Sequence, residues 1–184
     1  MTDELRFRTA TEADIDALVA LVTSAYRGEA SRAGWTTEAD LLDGNRIDPD
    51  VLRADIARPR SRVIVAGHPP SGAAPSPDML ACAHVAEQDG AGYFGMFAVR
   101  PTLQSAGIGG HVLSESERVV REEWRLPAMR MTVIDVRDEL IAWYQRRGYR
   151  RTGQTRPFPY GDARYGLPRR DDLRFEVLEK SFHG

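Results

Sequence analysis

The sequence predicts an α/β (α+β) fold in a single domain, residues 1–184, on three observations. Short apolar runs of strand composition alternate with segments whose apolar residues recur every three or four positions. A glycine turn, Gln104-Ser105-Ala106-Gly107-Ile108-Gly109-Gly110, joins one such run to one such segment. At 184 residues, 42% hydrophobic and 28% charged, the chain has the length and apolar content to bury one core.

Leu5 to Thr9 reads as the first strand. Thr11-x-x-Asp14 then forms a capping start for a helix with Ile15, Leu18, Val19, Val22 and Tyr26 on one face. Thr37-Glu38-Ala39-Asp40 and Asp48-Pro49 read as two further helix starts, the second with proline at the first helical position. A strand over Arg62 to Ala66 follows. The stretch 67–78 is so rich in Pro, Gly and Ser that it predicts a mobile hairpin loop. Strands fit Met79 to Glu87 and Tyr93 to Val99. The helix after the glycine turn carries Ile108, Val112, Leu113, Val119, Val120 and Trp124 inward, with Glu117 and Arg121 one turn apart outside. A strand at Ala128 to Ile134 precedes a short helix around Trp143-Tyr144 that Gly148 stops. Strands near Tyr149 to Gly153 and Leu173 to Lys180 complete the order, separated by a long irregular connection at 154–172.

Composition removes several function classes. Net charge is −2, so neither nucleic acid nor an anionic membrane is an expected partner. Lys180 is the only lysine, and the arginines between Arg146 and Arg170 read as solvated surface, some of them available to phosphates. Cys82 stands alone, which excludes an internal disulfide framework and a cysteine-based metal site. No metal is expected. The amino terminus is charged and lacks an apolar core, so the sequence reads as cytoplasmic. A monomer or homodimer is the expected assembly.

A glycine turn entering a helix aims unpaired N–H groups at one point, and the helix dipole adds roughly half a positive charge there. Such a point attracts phosphate. Spacing decides which phosphate ligand. A P-loop needs Gly-x-x-x-x-Gly-Lys-Ser/Thr, which is absent. The dinucleotide pattern is half met by Gly107 and Gly109, but Val112 stands where its third glycine or alanine belongs. What remains, Gln-x-x-Gly-x-Gly between a strand and a helix, resembles the acyl-coenzyme A loop of the GNAT superfamily of N-acetyltransferases, Arg/Gln-x-x-Gly-x-Gly/Ala. About thirty residues on, Arg137 to Tyr149 is similar to that superfamily's second signature, Asn-x-x-Ala-x-x-Phe-Tyr-x-x-x-Gly-Phe. Trp143-Tyr144, Gly148 and Tyr149 fall on its aromatic pair, glycine and last aromatic, while Arg137 and Leu140 replace its asparagine and alanine.

The resemblance implies a mixed, mostly antiparallel central sheet of about seven strands flanked by helices, with acetyl-coenzyme A (acetyl-CoA) as cosubstrate. It implies that the strand ending Phe97-Ala98-Val99 splays from the Ala128 to Ile134 strand and pairs its free edge with pantetheine. Amides of Gln104, Ser105, Ala106, Gly107, Ile108, Gly109 and Gly110 would hold the pyrophosphate, and Arg137 occupies a cofactor-contacting position. The implied activity is acyl transfer to a primary amine of a small molecule or peptide, by direct attack in a ternary complex. The alternative is a non-catalytic acyl-CoA-binding module or sensor.

Tyr144 matches the position whose phenol lies by the sulfur, which makes it the general-acid candidate. The strand Tyr93 to Val99 contains no carboxylate, so the base is sought among Glu29, His84, Glu87 and Asp135, with Glu29 preferred because its loop adjoins the acceptor region. His84 shares a strand face with Leu80 and Cys82, the pattern of a packed histidine. Tyr26, Trp35 and Tyr160 are the acceptor-binding candidates. Trp35 either stacks on the substrate or staples the Thr37 helix start.

Overall fold

The computed structural model describes residues 4–44, 46–68 and 79–183, so most of the loop expected at 67–78 lies outside the described residues. Strand β1 (Arg6–Thr9) runs into one 3-10 turn, where the Thr11 N–H donates to Asp14 Oδ2 at 2.9 Å. That capping interaction launches α1 (Ile15–Tyr26), whose Leu18, Val22 and Ala25 are completely buried. A 3-10 turn over Glu29–Ala33 leads to the short β2 (Leu42–Asp43). Helix α2 (Pro49–Ala57) begins as its sequence requires: the Asp48 carboxylate accepts from the N–H groups of Asp50 and Val51, and Pro49 needs no partner.

Three long strands follow, β3 (Ser61–Gly67), β4 (Met79–Gln88) and β5 (Ala91–Val99). Helix α3 (Ile108–Arg118), β6 (Ala128–Ile134), α4 (Asp138–Gln145), β7 (Arg150–Pro157), the short β8 (Leu167–Pro168) and β9 (Arg174–Ser181) complete the chain. Seven strands form one sheet in the order β1-β3-β4-β5-β6-β9-β7, and β2 pairs with β8 apart from it. Within the large sheet only β5 and β6 run parallel. The sheet is therefore mixed and mostly antiparallel, as the resemblance implied.

Both faces of the central strands are covered, which is why β3 to β5 read as nearly continuous apolar runs rather than alternating ones. Val63, Val65, Cys82 and Ala98 pack beneath α1 and α2. Ile64, Ala66, Ala83, Val85 and Phe94 pack beneath α3 and α4, with Val112, Leu113 and Ile141.

Three sequence expectations differ from the structure. The Thr37 start does not lead into a helix. Thr37 Oγ1 accepts the Ala39 N–H at 3.1 Å and Leu41 and Leu42 close one turn on Glu38 O, but the backbone then turns extended to pair Leu42 with Pro168. After Arg118 the α3 helix widens into a π turn, Val119–Glu123, marked by Trp124 N–H donating to Val119 O. The extra residue shifts the helical phase. Glu117, on regular helix before the turn, meets the Tyr149 hydroxyl at 2.9 Å and Lys180 at 3.0 Å, while Arg121, inside the turn, pairs with Glu122. Finally, β7 extends to Pro157, and the connection beyond it holds a 3-10 turn at Ala163–Tyr165 and β8.

Candidate active site

Strand β5 ends where Arg100 N–H makes its bond to Leu80 O at 2.9 Å. The Gln104 side chain then folds back, donating to Val99 O at 3.1 Å and Thr36 Oγ1 at 2.7 Å and accepting from Thr36 N–H at 3.1 Å. It fastens the turn to the 34–38 loop. Ser105 and Gly107 are left-handed, with φ of +72° and +86°, and Gly107 caps α3. The first α-helical bond is His111 N–H to Gly107 O, so the N–H groups of Ile108, Gly109 and Gly110 point out of the helix end. Over the 11 residues of α3 the peptide dipoles add about half a positive charge at that end.

A cavity of about 420 Å³ opens in front of these groups. Trp35, Phe97, Trp143, Arg146 and Arg147 form much of its wall. Among the described residues neither Arg146 nor Arg147 makes an ion pair. Arg147 lies 3.6 Å above the Trp143 ring, and burial together with the Arg146 charge lowers its pKa. The site thus combines a helix N-terminus with two uncompensated guanidinium groups.

Beside the cavity the sheet comes apart. β5 pairs with β6 only at Gly92–Met129 and Tyr93–Arg130. Beyond that point β5 carries a bulge opposite Ala83, with Met96 left-handed at φ +48°. A bulge adds one residue and bends its strand, which swings Phe97 to Val99 away from β6. Their outward carbonyls take side-chain partners: Phe97 O accepts from the Tyr26 hydroxyl and Val99 O from Gln104.

Tyr144, on α4, lies at the base of this gap and is 4% exposed. Its ring meets Phe94, Trp143 and Tyr149 edge-on, with centroids 5.1–6.4 Å apart. Burial, and then neighbouring Tyr26, push the phenol well above its ordinary pKa against the pull of Arg137 and Arg46. It holds its proton throughout the physiological range. A second cavity, about 60 Å³, is lined by Tyr144, Tyr26, Glu38, Arg46 and Arg137 and shares Phe97 and Leu140 with the larger one.

Glu38 organises this second cavity. Its buried carboxylate accepts from Arg27 and from Arg137 at 3.0 Å, with Arg46 at 3.7 Å. Burial opposes its ionisation, but Arg46, Arg137 and Arg27 outweigh that cost and hold its pKa below the usual carboxylate value. Arg137 also donates to Thr36 O, so one side chain ties the 36–38 loop to the start of α4. Arg46 and Arg137 lie 5.0 and 5.7 Å from the Tyr26 ring centroid, on a phenol whose pKa burial raises.

Several sequence-predicted residues converge here. Phe97, Val99, Gln104, Ser105, Gly107, Gly109, Gly110 and Trp35 line the larger cavity, Phe97, Tyr26, Arg137 and Tyr144 the smaller. Ala98 packs beneath α1, while Ala106 and Ile108 belong to the turn without lining either cavity. Glu29 stands outside: its side chain is 91% exposed and pairs with Arg32 at 3.2 Å. Tyr160 also lies apart, its hydroxyl donating to Arg170 O and accepting from Leu173 N–H, which braces the connection before β9.

The other base candidates are occupied elsewhere. Glu87 pairs with Arg60, and Asp135 with Arg174 at 2.8 Å. His84 lies 2.8 Å from Ser61 Oγ and 3.8 Å from Asp55, an arrangement with the composition of a nucleophilic triad. The Ser61 hydroxyl, however, donates to Asp55 O at 2.6 Å, so it accepts from the His84 Nε2–H and no base addresses its proton. Burial pushes the Cys82 thiol up to about 12. Among the described residues no group of three or more His, Cys, Asp or Glu is placed to hold a metal ion, and no helix is long and apolar enough to cross a membrane.

Sequence reasoning missed Glu38 and Arg46, and it left Arg146 and Arg147 unresolved among the arginines available to phosphates. Only Arg147 had a local signal, the four-residue spacing from Trp143 that stacks the two on one helix face.

Neither a protein-family model nor a curated protein matches the chain by sequence. Solved structures match it by shape. The IAA acetyltransferase of Bacillus cereus superposes with a TM-score of 0.64 at 15% identity, over 97% of this chain and 100% of its own. The ribosomal-protein-S18-alanine N-acetyltransferase of Escherichia coli gives 0.66 at 15% identity, over 98% and 97%. A GNAT family acetyltransferase of Elizabethkingia anophelis, with acetyl-CoA bound, gives 0.59 at 14% identity, over 98% and 100%. This chain has the fold of the GNAT N-acetyltransferases.

Proposed function

We propose that this protein is an acetyl-CoA-dependent N-acetyltransferase acting on a primary amine of a small molecule or peptide by direct attack in a ternary complex. The observation that carries the reading is the parting of β5 from β6 beside the exposed N-terminus of α3, with Tyr144 in the gap. The residues present fit the cosubstrate. Amides of Ile108, Gly109 and Gly110, with Arg146 and Arg147, supply the donors a pyrophosphate needs, and the edge at Phe97 to Val99, parted from β6, suits an amide-bearing arm.

Bound there, acetyl-CoA supplies a thioester whose carbonyl carbon accepts the amine nitrogen while the C–S bond breaks. Tyr144 Oη is the proton source for the departing thiolate and is reprotonated from solvent as the attacking nitrogen releases its surplus proton there; its raised pKa keeps the phenol protonated at neutral pH. Cys82, buried and protonated, is not needed as an acyl carrier. Phe97, Trp143 and Trp35 exclude water from the reacting end of the larger cavity.

The non-catalytic alternative draws on one observation: the carbonyls of Phe97 and Val99 already accept from Tyr26 and Gln104. Thiol release separates the two readings. A catalyst frees coenzyme A only when an amine acceptor is present, whereas a sensor is stabilised by acetyl-CoA and frees none across amino acids, polyamines, aminoglycosides and peptide amino termini.

A further inference from the structure

The smaller cavity has a charge that the proposed chemistry does not explain. Glu38 is a single carboxylate, yet Arg27, Arg46 and Arg137 all gather on it. Three of these four side chains are at most 9% exposed, and among the described residues buried Arg27 finds no partner for its Nε and Nη2. Excess cationic charge in so little water is costly unless an anion joins it. Arg46 is the accessible member, 32% exposed, and it shares the cavity wall with Arg137 and Tyr144.

A neighbouring cavity of about 380 Å³ shares Met131, Thr132 and Phe175 with the small one and carries Arg156 and Asp89 on its wall, neither in an ion pair among the described residues. A planar guanidinium fork matches a carboxylate, and a space of about 60 Å³ suits a group of that size.

We infer that the acceptor is a small amino carboxylic acid, its carboxylate seated on Arg46 and Arg137 and its amine turned toward Tyr144. This rests on the acetyltransferase reading. The cationic surroundings also disfavour a protonated amine, so the acceptor sheds its ammonium proton to solvent before attack. That accounts for catalysis without a carboxylate on β5. A polycationic acceptor meets the opposite field.

The test compares thiol release for each of the common amino acids with its carboxamide, its decarboxylated amine and its aminophosphonate, and with spermidine. At least one carboxylate should exceed its amide in kcat/KM by about tenfold or more, the loss expected for one charge-assisted contact. Arg46→Gln should raise KM for that acceptor about tenfold and shrink the carboxylate-to-amide ratio, with Arg46→Lys recovering part of it. Acetyl-CoA binding, read as thermal stabilisation, should survive both changes. Equal use of amides or spermidine, an aminophosphonate preferred to its carboxylate, or no carboxylate turned over by acetyl-CoA-bound protein overturns the inference. Absence of acetyl-CoA binding instead removes the acetyltransferase reading beneath it.

Discussion

Glu38→Gln should be among the most damaging single substitutions in this chain. The change is nearly isosteric, so it tests charge rather than packing. Glu38 and Arg27 are 5% and 4% exposed at their side chains, and the amide would leave Arg27 and Arg137 buried without a counter-charge. Breaking such a pair from one side costs about 3–5 kcal/mol. At about 2–4 °C per kcal/mol for a chain of this size, melting should fall by roughly 6–20 °C. Arg27→Met should cost less, because Glu38 keeps Arg46 and Arg137. The sign of the pH dependence follows from the depressed Glu38 pKa. Its stabilisation is complete above the ordinary carboxylate value of 4.5 and is lost as pH falls through the lower folded value. The wild-type and Glu38→Gln melting curves should therefore converge in acid. A loss under about 1 kcal/mol at pH 7, the size of an exposed pair, would refute the reasoning.

Tyr144→Phe should lower kcat by about a hundredfold or more, the usual contribution of a general acid, and leave acetyl-CoA affinity within about twofold. Unchanged turnover would remove Tyr144 from the chemistry. Arg147→Ala should weaken acetyl-CoA by about tenfold or more in calorimetry and reduce the salt dependence of binding; equal affinity and slope would show that the guanidinium does not face phosphate. Gly107→Ala should cost about 1–2 kcal/mol, since φ is +86° with no contact that a methyl group would gain. An unshifted melting midpoint would mean the turn relaxes.

What the sequence revealed was local. The apolar runs of β3 to β5 and the one-sided period of α1 are properties of neighbouring residues, and they predicted those elements directly. Gln104 to Gly110 and Trp143-Tyr144 are likewise short patterns whose spacing carries their chemistry. The Glu38 cluster is different in kind. Its members lie 11 and 99 residues apart along the chain, and only the fold brings them together. Nothing in Thr37-Glu38-Ala39-Asp40 distinguishes a helix start from a turn pinned by distant arginines. Glu29 illustrates the converse: a carboxylate in a suggestive loop remains in solvent because no element folds over it. The π turn after Arg118 was hidden because Val119 and Val120 are apolar and buried, as they would be in an unbroken helix.

The central claim is that the end of β5 and the start of α3 together form the seat of an acyl-CoA. Titrating acetyl-CoA into isotopically labelled protein while following backbone amide resonances tests it most directly. Saturable shifts should concentrate on Phe97 to Val99 and on Ser105 to Gly110, with Trp143 responding through Arg147. Saturating thioester that leaves those amides unmoved would contradict the account.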